Sequence, residues 1–101
     1  MYNLEQLKEK KEFIQKLSPA LESIDGVEGI DYEAYEFPYG DNIYVDEFVI
    51  IRTFARILVK CVNSCCVEYI LKEISKMLLR EKTSYDNIEY QKAKKDYKKV
   101  I

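Results

Sequence analysis

The chain has no histidine and no tryptophan, and from Leu17 to Ile51 it has neither lysine nor arginine. The missing imidazole removes the usual general base, nucleophile activator and metal ligand of neutral-pH chemistry, and with it most hydrolytic schemes. Long apolar runs are absent too. The longest, Phe48 to Ile51, has four residues, far short of the roughly 20 needed to cross a bilayer. The N-terminus lacks the basic and apolar segments of a secretory signal, so a cytoplasmic location is expected. Cysteine is limited to Cys61, Cys65 and Cys66, an odd and crowded set that does not form a disulfide framework. These read as buried structural thiols, with a redox or intermolecular-disulfide role as the alternative. With three sulfurs and no second ligand pair, the cluster does not suit structural zinc.

What is present suits one folded domain spanning 1–101: 48% hydrophobic and 34% charged residues, far from a disordered composition. The net charge of −2 hides a strong polarity. Residues 1–16 carry +1, residues 17–51 carry nine acids and no base, and residues 52–101 carry +6. Such polarity bears on partners rather than on fold.

Asn3, with Gln6 three residues on and Tyr2 placed to meet Leu7, predicts a capped first helix with Leu4, Leu7, Ile14, Leu17, Leu21 and Ile24 on its apolar stripe. Pro19 interrupts that stripe, so Ser18 is expected to cap a short continuation to about Ile24 ended by Gly26. Beyond Val27, alternation places Ile30, Tyr32 and Ala34 on one strand face and Asp31, Glu33 and Tyr35 on the other, with a turn or loop over Phe37–Asn42. In 47–62, Arg52, Arg56 and Lys60 recur every four residues, which fits helix and strand alike. The β-branched residues and the alternation of Ala55, Ile57, Val59 and Cys61 favour strands. Asn63 and Ser64 are expected to cap a helix with Val67, Ile70, Leu71, Ile74, Met77 and Leu78 inward and Glu68, Lys72, Lys76 and Arg80 outward. Thr83–Tyr85 breaks it, and Asp86 with Glu89 opens a last helix packing Ile88, Tyr90, Ala93 and Tyr97. The expected fold is α+β, in the order αβββαα with a three-stranded antiparallel sheet or hairpin.

No cofactor motif is visible, and no metal site is expected. Carboxylates are plentiful, but Asp41–Asp46 does not follow the EF-hand order. A non-catalytic interaction protein is the expected class, binding a basic or nucleic-acid-binding protein through Asp31, Glu33, Tyr35, Glu36, Tyr39, Asp41, Tyr44, Asp46 and Glu47. Tyrosine adds contact area and a hydroxyl to such a face, and rows of carboxylates imitate a phosphate backbone. One alternative is a nucleic-acid-binding regulator using Arg52, Arg56, Lys60, Lys92, Lys95 and Lys99. In a further reading Arg52, Arg56 and Lys60 pair with the chain's own acidic stretch. A third function is a homo-oligomer joining the acidic segment of one copy to the basic half of another.

The αβββαα order with an acidic surface resembles that of certain small phage-encoded anti-CRISPR proteins. That resemblance implies a viral or mobile-element inhibitor, acting in the host cytoplasm, that occupies a DNA-binding site on a Cas nuclease.

Overall fold

The computed structural model describes residues 2–79 and 84–101. Asn3 lies in extended backbone, and its side chain accepts the Gln6 N–H at 3.3 Å, satisfying one free donor of the first turn. Helix α1 then runs Leu4–Glu22 without a break. The interruption expected at Pro19, with Ser18 as a second cap, does not occur. Proline forfeits its bond to the carbonyl four residues back and crowds that carbonyl with its ring, but Gln15, which carries it, is exposed, so the carbonyl can tilt outward to water. Leu7 and Ile14 are buried, whereas Leu4 and Ile24 at the ends of the expected stripe are largely exposed. Gly26, at φ +89°, turns the chain into the sheet.

Strands β1 (Val27–Tyr39), β2 (Asn42–Thr53), β3 (Ile57–Cys61) and β4 (Lys98–Lys99) form one antiparallel sheet in the order β3-β2-β1-β4. The α+β class is as expected, with β4 added after the last helix. Residues 47–62 are extended apart from a short turn after Thr53, in keeping with their β-branched composition. The loop expected over Phe37–Asn42 shrinks to Gly40 and Asp41. Tyr39 and Asn42 pair directly, and Gly40 takes φ +62° while Asp41 does not go positive, the pattern of a type II′ turn.

Helix α2 (Val67–Leu78) and helix α3 (Ser84–Asp96) lie on opposite sides of this sheet. One face carries Ile30, Tyr32, Ala34, Val49, Ile51 and Leu58 and is covered by Leu7 and Ile14 of α1 and Ile70, Ile74 and Met77 of α2. The other carries Tyr35, Phe48, Ile50 and Val59 beneath Tyr90 and Ala93 of α3. Full burial of Phe48, Val49 and Ile51 contributes about 2 kcal/mol each. Ile88, expected inward, points to solvent. Lys60, on the edge strand β3, stands 3.9 Å from Glu73 of α2 and 3.7 Å from Asp86 of α3, bridging the two layers. Arg80 and Thr83 lie outside the described residues.

One buried carboxylate ties these parts together. Glu47 on β2 is only 5% exposed. It accepts the Tyr32 hydroxyl from β1, the Lys10 ammonium of α1 at 2.9 Å, and the Ser64 N–H at 3.0 Å. Asn63 turns back to accept the Glu47 N–H at 2.6 Å and to donate to Asp46 at 2.9 Å. It is therefore not the cap of α2, which begins after Cys66 with no side-chain cap at all. Ser64 adopts φ +58° to present its N–H, an uncommon geometry for a residue with a side chain. Removing one member of a buried ionic set strands the others. Glu47→Ala is expected to cost about 3 kcal/mol in urea unfolding; a loss under about 1 kcal/mol, the level of an exposed pair, would show that the clamp is dispensable.

Candidate interaction site

The acidic stretch does not form one open face. Five of its expected binding carboxylates are engaged within the fold. Glu47 is held as described, and Asp31 meets Lys11 at 3.4 Å. Glu33 accepts the Tyr35 hydroxyl at 2.5 Å and the Tyr90 hydroxyl at 2.9 Å, with Lys99 of β4 3.9 Å away. Glu36 accepts the hydroxyl of Tyr2, and Asp46 accepts Asn63. Tyr35 is buried under α3, its ring edge-on to Phe48 and Tyr90 at 6.2 Å. The neutralising bases are Lys10, Lys11 and Lys99 rather than Arg52, Arg56 and Lys60. Among the described residues Arg52 and Arg56 enter no ion pair. The Arg52 guanidinium lies over Gly29, 2.6 Å from where a β-carbon would stand.

What remains open is the end of the hairpin. β3 reaches only to Phe48 and β4 only to Glu36, so the strands beyond them project as a two-stranded arm. Tyr39 is 73% and Tyr44 44% exposed, and Asp41 is exposed at the turn between them. Phe37 lies opposite Tyr44 with ring centroids 5.8 Å apart and stacks at 5.5 Å on Tyr97, which follows α3. Tyr39 meets Tyr44 edge-on at 6.2 Å. Contacts of this kind set tyrosine rings at low entropic cost and leave their hydroxyls to water. Phe37 and Tyr97 were not among the expected site residues. The signal for Phe37 in the sequence was the continued alternation of Tyr35, Phe37 and Tyr39 through a proline, whereas Tyr97 was expected only as a packing residue of the last helix.

Backbone direction separates the arm's two edges. Ala34 directs its carbonyl to Val100 N–H at 2.8 Å and its N–H to Ile101 at 3.3 Å, so Pro38, four residues on, faces the same side with no N–H to offer. On β2, Glu47 directs its carbonyl outward to Val62 N–H at 2.8 Å, so Val45 and Ile43 point the same way. Among the described residues nothing bonds them.

The bases named for nucleic-acid contact are dispersed. Arg52 and Arg56 lie at the far end of the hairpin, Lys60 and Lys99 are in ion pairs, and Lys92 and Lys95 are exposed on α3. Cys66 is exposed, contrary to its expected burial, while Cys61 and Cys65 are half-buried and all three are free thiols. Burial pushes the Cys61 thiol up to about 11. Among the described residues no cluster of potential metal ligands is present, and no helix is long and apolar enough to cross a membrane. No protein-family model, curated protein or solved structure matches the chain.

Burial, and then the bonds to Glu47 and Glu33, hold Tyr32, Tyr35 and Tyr90 protonated well above the ordinary phenol value of 10.0. The unfolded chain therefore releases these protons first. Their contribution to stability is complete below pH 10 and is lost as the pH rises toward the folded values, and the Cys61 thiol adds a loss between pH 9 and 11. Urea midpoints should fall steadily over that alkaline range, with the buried phenolate absorbance appearing only on unfolding. Constant midpoints, or a single titration of every tyrosine near 10 in the folded protein, would contradict this assignment.

Proposed function

We propose that the protein is a non-catalytic interaction protein that holds a basic, nucleic-acid-handling partner by the projecting end of its hairpin. The observation that carries this reading is the exposed aromatic group of Tyr39 and Tyr44, set on Phe37 and Tyr97 next to the exposed turn residue Asp41. Aromatic side chains held rigid before binding concentrate interface energy, and a partly polar ring tolerates exposure in the free state. The acidic turn favours a partner of opposite charge by steering its approach. Inhibition of a nuclease, as in the anti-CRISPR proteins whose layout this chain resembles, is one form such capture takes.

The test is affinity capture from nuclease-treated host lysate with mass spectrometry of what is retained, followed by titration of the partner so identified. Tyr39→Ala with Tyr44→Ala should weaken that partner at least about thirtyfold, a loss of about 2 kcal/mol. Circular dichroism should stay unchanged. Asp41→Lys should slow association and flatten its salt dependence. Capture that survives the double tyrosine change would overturn this reading, and retention seen only without nuclease treatment and lost with Lys92→Ala and Lys95→Ala would replace it with direct nucleic-acid binding.

A further inference from the structure

We propose that the outer edge of β2, from Asn42 to Asp46, receives an extended basic segment of the partner as an added strand. This rests on the reading of the hairpin end as the interaction site and specifies how the partner is held. Ile43 and Val45 direct their backbone donors and acceptors outward with no partner among the described residues. Strand addition satisfies such groups with main-chain bonds and leaves specificity to alternate side chains.

The side chains bordering the edge define the occupant. Ile43 and Val45 lie on the sheet face covered by α1, Tyr44 and Asp46 on the face covered by α3. A strand laid beside them meets apolar groups on one face and a carboxylate with a phenol on the other. An alternation of β-branched residues with Lys or Arg fits both. The fold already contains one such pairing: beside β1, Lys99 faces Glu33 at 3.9 Å while Val100, on the opposite side, packs into the core below α1. A second copy of this edge fits less well. Parallel in-register pairing sets Asp46 beside Asp46, and antiparallel pairing centred on Tyr44 sets Asn42 beside Asp46, with no base brought to either carboxylate. Like charges directly opposed across a ladder are destabilising.

The probe is a short end-blocked peptide of alternating Lys and Val, with a Glu and Val peptide as control. The first should bind in fluorescence anisotropy and slow amide exchange at Ile43 and Val45, and the control should do neither. Ile43→Pro places a second proline opposite Pro38 and removes one outward N–H; it should weaken the peptide about tenfold or more. Ile43→Lys, which keeps the backbone donor but adds a like charge, should weaken it too and covers the case in which the proline variant does not fold. Unchanged exchange at Ile43 and Val45, equal peptide affinity in Ile43→Lys, or a dimer in sedimentation that Ile43→Lys dissolves would each overturn the proposal. Partner capture separates the two levels. Loss with the tyrosine pair but not with either Ile43 variant leaves the hairpin-end site standing without strand addition, and loss with neither removes both.

Discussion

A carboxylate taken out of water must be surrounded by donors, and the way Glu47 meets that demand sets much of the architecture. Its donors come from three separate places: a lysine of α1, a tyrosine of the neighbouring strand and a backbone N–H in the connection after β3. Each is committed to a position by the bond it makes. The first helix is held across β1 and β2, and Ser64 is held in left-handed backbone. Asn63 is drawn to the Glu47 N–H, and α2, beginning farther on after Cys66, starts without a side-chain cap. A missing cap typically costs about 1 kcal/mol, no more than the cost of leaving a buried backbone N–H without a partner.

Glu33 repeats this arrangement on the opposite side. Glu47 pairs in register with Ala34, the residue after Glu33, so neighbouring positions of the two central strands send carboxylates through opposite faces of the sheet. Glu33 gathers Tyr35, Tyr90 of α3 and Lys99 of β4, as Glu47 gathers α1 and the α2 connection. The charge that looked like a surface in the sequence is in large part the polar framework joining three layers. Buried ionic groups of this kind add little net stability over an apolar core but penalise arrangements that leave them unpaired.

Features with a local cause were legible: the Asn3 cap, the alternation through Ile30 to Tyr35, and the extended character of 47–62 all depend on neighbours within a few residues. The fate of the acids was not. Lys10 and Glu47 are separated by 37 positions, and Tyr90 and Glu33 by 57, so nothing in the pattern around a glutamate distinguishes one buried under a helix from one in water. The bases nearest in sequence, Arg52 and Arg56, appeared the natural partners, yet antiparallel pairing carries them to the far end of the hairpin. β4 escaped notice because two lysines have no strand propensity of their own and owe their conformation to Tyr35 and Glu36 opposite. At the candidate site the tyrosines and Asp41 were legible as residue types, while their separation from the buried acids required the register.

Where the sheet's edges are covered, the means of covering differ from place to place. Over Tyr32 the outward carbonyl of β1 accepts Lys11 at 3.0 Å and the N–H donates to Asp31 at 2.8 Å, so side chains occupy the positions of a neighbouring strand. Farther along β1 the segment from Lys98 to Ile101 pairs with it, and beyond that Pro38 presents no donor. On β2, β3 covers Phe48 to Arg52 and Asn63 takes the next N–H. Each device removes a site at which another chain could add. Among the described residues the run through Ile43 and Val45 combines open main-chain groups, apolar side chains and flanking tyrosines without such a device. The proline that would close it stands on the opposite strand, which makes the two edges of the arm unequal.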